Sequence, residues 1–149
     1  MATKAAVDSF LAQPSIAVVG VSRNPNKFGT MAYRELRKKG MKVIPVNDKT
    51  DKIEGDPCYP NLEAIPEKVG GVLVIVPPPQ AEKVVQQAFT AGIKNIWLQQ
   101  GSESPAALHF CQENNLNVVS GECILMFAKP QFPHTAHRWI WGILGKLPK

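Results

Sequence analysis

Short apolar runs alternate along the chain with longer stretches in which apolar side chains recur every three or four positions. Ile16-Ala17-Val18-Val19 has no polar position and ends in Gly20, the pattern of a strand buried on both faces. Helical spacing follows over about residues 27–39, through Phe28, Met31, Ala32, Glu35 and Leu36. Its last turn is Arg37-Lys38-Lys39 and Gly40 stops it, so cations meet the negative end of the helix dipole. Lys42-Val43-Ile44-Pro45-Val46 reads as a second strand whose proline suits an edge or a strand end. Residues 47–70 form a long connection, with turn chemistry at Asn47-Asp48 and Gly55-Asp56-Pro57 and a short helical piece around 62–65.

A third strand is predicted over 72–76, closed by Pro77-Pro78-Pro79. The spacing then predicts a helix over 80–91 that turns Val84, Val85, Ala88 and Phe89 inward and stops at Gly92. A fourth strand falls at 95–98. Ser104 caps a helix with Pro105 at its first position, running to about 114, and a fifth strand covers 116–119. Strands separated by helices call for a parallel sheet with right-handed crossovers. The expected fold is an α/β, Rossmann-like three-layer sandwich with a five-stranded, mainly parallel sheet. One domain is expected over residues 1–128, followed by an aromatic tail at 129–149 packed on the domain or on a partner.

Composition narrows the partners. The chain has 149 residues, enough for one domain with a genuine core, and is 44% hydrophobic and 19% charged. Lys and Arg number 17 against 12 acids, a balance of +5 scattered along the chain. That field suits a polyanionic small ligand, or simply a soluble basic surface. Nucleic-acid binding would call for clustered bases with interleaved aromatics and is not expected. Cys58, Cys111 and Cys123 are an odd count without CxxC spacing, which argues against a disulfide framework or a zinc site. The N-terminal MATKAAVDSFLAQPS has no signal-like apolar run, and no stretch approaches the roughly 20 apolar residues of a membrane span. A cytoplasmic location is the expectation.

In such sheets ligands bind beyond the carboxyl ends of the strands, where the strand order reverses. The segment after the first strand is Gly20-Val21-Ser22-Arg23-Asn24-Pro25-Asn26-Lys27-Phe28-Gly29. Gly20 permits a tight turn and close approach, the next helix offers free amides and its positive dipole end, Ser22 a hydroxyl, and Arg23 and Lys27 charge. An ordinary strand–helix loop with solvated bases is the plain alternative. The second glycine comes nine residues after the first, so the dinucleotide fingerprint GxGxxG is absent. Asp48 stands where an NAD site keeps its ribose-binding acid, yet Lys49 beside it favours a phosphate. Pro77-Pro78-Pro79 could wall a ligand or merely end a strand, and Gln99-Gln100-Gly101-Ser102 supplies amides and a hydroxyl.

Five segments together carry a resemblance: Gly20-Val-Ser-Arg with Lys27-Phe-Gly29, Pro45-Val-Asn47, Tyr59-Pro-Asn-Leu, Val76-Pro-Pro-Pro79 and Trp97-Leu-Gln-Gln-Gly101. They resemble the small stand-alone CoA-binding proteins, a family similar to the CoA-binding N-terminal domain of succinyl-CoA ligase α subunits, over roughly residues 10–125. The resemblance implies that Gly20, Ser22, Arg23, Lys27 and Gly29 form the cradle for CoA phosphates, with Asn47 and Lys49 near the adenosine. It also implies that Pro77 and Pro78 flank the ligand, with Gln99, Gln100 and Gly101 lining the pocket. The phosphohistidine domain of those ligases has no counterpart in this chain, so ligase activity is not implied.

No catalytic set emerges. His109 reads as a helix-surface histidine, and His134 with His137 lacks the further ligands of a metal site. Cys123 falls just past the fifth strand and reads as a small packed residue. Trp139, Ile140, Trp141, Ile143 and Leu144 make the tail apolar enough to cover the domain or to suit a homodimer. Three readings are therefore carried: a binder of coenzyme A or acyl-CoA without chemistry of its own, an NAD(P)-linked oxidoreductase or sensor, and an assembly protein with a vestigial site.

Overall fold

A computed structural model describes residues 3–127. The elements run α1 (Lys4–Leu11), β1 (Ile16–Val19), α2 (Phe28–Lys38), β2 (Val43–Val46), β3 (Lys52–Ile53), β4 (Asp56–Pro57), a 3-10 turn at Leu62–Ala64, β5 (Gly71–Val74), α3 (Pro78–Thr90), β6 (Asn95–Gln99), α4 (Pro105–Glu113), β7 (Asn117–Glu122) and a 3-10 turn at Ile124–Met126. The main sheet has the order β2-β1-β5-β6-β7, and every pair in it is parallel. This is the expected α/β sandwich, with the order reversing between β1 and β5. Pro45 lies in β2, an edge strand, where the missing N–H breaks no sheet pairing; its carbonyl accepts from the Tyr59 N–H at 3.2 Å.

The period of two along each strand divides the core between the faces. Ala17, Ile44, Val72, Val74, Ile96 and Leu98 pack under Val84, Val85 and Ala88 of α3 and Ala107 and Cys111 of α4. Ile16, Val18, Leu73, Trp97 and Val119 pack on the other face under Val7 and Phe10 of α1 and Tyr33 and Leu36 of α2. Phe10 meets the fully buried Trp97 edge-on, with ring centroids 5.3 Å apart. Gly71 makes room for that ring, since a β-carbon there would stand 2.9 Å from Phe10 Cε2.

Several boundaries differ from the sequence reading. The chain opens on α1, capped by the Thr3 hydroxyl, where no element was predicted. The connection 47–70 contains the small β3–β4 hairpin. β5 closes at Val74, and α3 starts at Pro78 rather than at residue 80, because proline at the first helical position loses no hydrogen bond and has its φ already set. β7 extends to Glu122. Phe89, expected inward, is 44% exposed: Ala88 takes the sheet-facing position, and the next residue, a quarter-turn on, lies against Phe110 at 5.7 Å. No helix among the described residues is long and apolar enough to cross a membrane. The expected tail at 129–149, with its aromatics and His134 and His137, lies outside the described residues.

Candidate functional site

The sheet edge at the order reversal, between β1 and β5, is built by the chain leaving those two strands. Gly20 turns there with φ +118°, and a β-carbon on it would stand 1.9 Å from the carbonyl oxygen of Ile75, whose own N–H donates to Val19 at 2.8 Å. Gly29, in the first turn of α2, presses on the other side: its β-carbon would lie 2.1 Å from the Gly20 carbonyl oxygen. The two glycines thus let the strand end and the helix start touch through backbone alone, the role split among three glycines in the dinucleotide fingerprint.

The loop between them is ordered by its own polar groups. Thr30 donates to the Ser22 carbonyl at 2.8 Å and accepts the Ser22 N–H at 3.2 Å. Ser22 Oγ accepts from the Asn24 N–H, and Asn24 Oδ1 from the Asn26 N–H. Lys27 is the N-cap of α2, with extended backbone and no side-chain cap, whereas Thr3 caps α1 and Ser104 caps α4. The opening amides of α2 are left without a side-chain acceptor, so the positive end of an eleven-residue helix is uncapped. The side chains of Arg23 and Lys27 are exposed and pair with no described residue. Backbone cradle, open helix end and free cations are the donor set that a diphosphate requires.

The other predicted residues fall at the same edge in different roles. Asn47 follows β2; its Nδ2 donates to the Val21 carbonyl at 2.7 Å, its Oδ1 accepts the Lys49 N–H at 2.7 Å, and its N–H donates to Tyr59. Lys49 is exposed beside it. Pro77 and Pro78 are exposed at the start of α3, and Gln100 and Gly101 at the end of β6. Gln99 is buried, with its Oε1 spent on the Ile124 N–H at 3.1 Å, so it ties the chain after β7 to the sheet. Ser102 accepts the Val76 N–H at 3.1 Å, bracing the chain after β5 from the β6 loop. Thr30 and Tyr59 were not singled out as site residues; a hydroxyl in the first turn of a helix after a glycine loop is the signal that could have found Thr30.

Nothing among the described residues groups three metal-ligating side chains. His109 is on the surface of α4, paired with Glu113 at 3.1 Å. Burial pushes the Cys111 thiol up to about 11 and raises that of Cys58 as well, so neither is a ready nucleophile. Cys123 is half-buried directly after β7. Two clefts of about 300 and 330 Å³ lie away from the order reversal, one on the open side of β2 lined by Arg37, Lys42, Asp56 and Tyr59, the other between Leu62–Ala64 and the end of α3.

Comparison with known proteins places the chain in a family. The acetate–CoA ligase (ADP-forming) II subunit alpha of Pyrococcus furiosus is 29% identical over 91 residues, 60% of this chain and 20% of the subunit. The chain therefore spans about a fifth of that relative's length. A hypothetical protein from Pyrococcus horikoshii OT3 has the same fold with a TM-score of 0.78 and 30% identity over 83% of this chain and 88% of its own. The apo dinucleotide-forming acetyl-coenzyme A synthetase 1 of Ca. Korarchaeum cryptofilum matches with a TM-score of 0.63 and 28% identity over 71% of this chain and 25% of its own. None of these supports the NAD(P) alternative. The CoA binding domain model matches residues 14–129, and the chain belongs to the CoA-binding domain family.

Proposed function

We propose that this protein binds coenzyme A or an acyl-CoA, with the diphosphate over the loop from Gly20 to Gly29. The observation that carries this reading is the uncapped start of α2, facing a loop whose two cations, Arg23 and Lys27, have no partner among the described residues. In this reading Ser22 adds a hydroxyl donor, Lys49 meets the adenosine end, Pro77 and Pro78 form an apolar flank, and Gln100 and Gly101 form the rim. Asn47 and Gln99 act from behind, holding the loops that present those groups. This chain spans about a fifth of the length of the first ligase relative, and we read the domain it forms as a CoA-binding module. Three free cysteines suit a reducing, cytoplasmic setting.

Calorimetric titration with CoA, acetyl-CoA, NAD and NADP tests the reading. Saturable binding of CoA or acetyl-CoA, with neither dinucleotide bound comparably, is the expected result. Binding of NAD without CoA would overturn it, and no heat from any of the four would favour an assembly role instead.

A further inference from the structure

Thr30 is fully buried, and its hydroxyl is committed to a residue eight positions earlier in the chain. A threonine inside a helix ordinarily returns its hydroxyl to the carbonyl one turn back. Here Oγ1 donates its single hydrogen to the Ser22 carbonyl at 2.8 Å and accepts the Ser22 N–H at 3.2 Å. It also stands 3.4 Å from Ser22 Oγ. Because the Thr30 hydrogen is already used, only Ser22 can donate across that last, long contact. Ser22 Oγ meanwhile accepts from the Asn24 N–H at 3.1 Å, and the Asn24 carbonyl accepts from the Lys27 N–H at 3.2 Å. One chain of hydrogen bonds thus runs from Thr30 through Ser22 and Asn24 to the Lys27 backbone at the helix start.

We infer that Thr30 is the positioning residue of the phosphate loop: it holds both backbone polar groups of Ser22 and leaves the Ser22 hydroxyl hydrogen, whose one acceptor among the described residues stands 3.4 Å away, free to turn to a phosphate oxygen. This rests on the CoA reading above. Asn47 braces the neighbouring residue from β2 by donating to the Val21 carbonyl, so the loop is gripped from both sides before any ligand arrives. Such preorganisation raises affinity by removing an ordering cost that binding would otherwise bear. It should serve the diphosphate, which CoA and 3′-dephospho-CoA share.

The test compares wild type with Thr30→Val, which keeps the shape and loses the hydroxyl, and Thr30→Ser, which keeps the hydroxyl. Calorimetry is run at a temperature where circular dichroism shows each protein folded. Thr30→Val should weaken CoA and 3′-dephospho-CoA by the same factor, about tenfold, and Thr30→Ser should restore wild-type affinity. Equal binding by wild type and Thr30→Val, or a Thr30→Ser as weak as Thr30→Val, would overturn the inference while leaving CoA binding intact. Failure of wild type itself to bind CoA would instead remove the reading on which it rests. Should Thr30→Val not fold, amide hydrogen exchange on ligand-free wild type decides. Slow exchange at the Ser22 and Asn24 amides supports the inference, and exchange at the rate of an unprotected loop overturns it.

Discussion

Gly29 faces the carbonyl oxygen of Gly20 so closely that a β-carbon built on it would stand 2.1 Å away. Real side chains do not approach backbone oxygen at that distance, so the contact exists only because residue 29 is glycine. It joins the end of β1 to the start of α2 and fixes the span that the intervening loop must bridge. Gly29→Ala has to push the helix start off the strand end. A loss of about 1–3 kcal/mol in urea unfolding is expected, as for other overpacked sites, together with weaker CoA binding.

The Lys27 side chain is exposed and pairs with no described residue, and Lys27→Ala keeps the backbone bonds, so its removal should leave stability nearly unchanged. Lys27→Ala is expected to raise the Kd for CoA about tenfold and to flatten its dependence on salt, because a charge-assisted contact to phosphate is screened by ions. Calorimetry at two ionic strengths measures both effects.

The β3–β4 hairpin is pinned to α2 by Tyr33 and Arg37, which both donate to the Asp56 carboxylate, and by Arg34, which pairs with Glu54 at 3.0 Å. The Tyr33 phenol, helped by Arg37, holds the Asp56 carboxyl below its ordinary 3.8, against the opposing pull of desolvation. Burial and the Asp56 carboxylate push the Tyr33 phenol upward in turn. A carboxyl whose folded pKa lies below its unfolded value stabilises the protein above the unfolded value. That contribution is lost as the pH falls through the folded one. Asp56→Asn should therefore cost about 1 kcal/mol near neutral pH, discounted because the side chain is partly exposed, and progressively less as the solution is acidified below pH 3.8. Tyr33→Phe should cost about 1 kcal/mol for the lost hydrogen bond.

At the opposite edge of the sheet, Asn95 Oδ1 accepts from Ser9 and from Asn117, each at 3.0 Å, while its Nδ2 donates to the Gly70 carbonyl. Asn95→Ala removes the hub, although Asn117 keeps its bond to the Ala6 carbonyl and Ser9 is exposed to water, so a loss of about 1 kcal/mol is expected. CoA affinity should not change, which separates stability from the site in one variant.

The alternating core was legible in the sequence because buried parallel strands are continuous apolar runs, and the edge position of β2 was legible in Pro45. Helix α1 was not. Eight residues make a marginal helix alone, and what sustains this one is the burial of Phe10 against Trp97, a contact between residues far apart in sequence. The β3–β4 hairpin was equally hidden, since each strand is two residues long and its anchors are the side chains of Tyr33, Arg34 and Arg37. At the site, the residue types and their common edge were readable from the loops. Their division of labour was not: Asn47 and Gln99 present the same amide as a ligand-lining residue would, and only the fold shows both oxygens committed to backbone N–H groups.

The central claim is that CoA lies over the loop from Gly20 to Gly29, and an NMR titration of the ¹⁵N-labelled protein with CoA tests it most directly. The largest shifts are expected at the backbone amides of residues 20–30 and at Lys49. Shifts that leave that loop still and gather instead around Arg37, Lys42 and Tyr59, in the cleft beside β2, would contradict it.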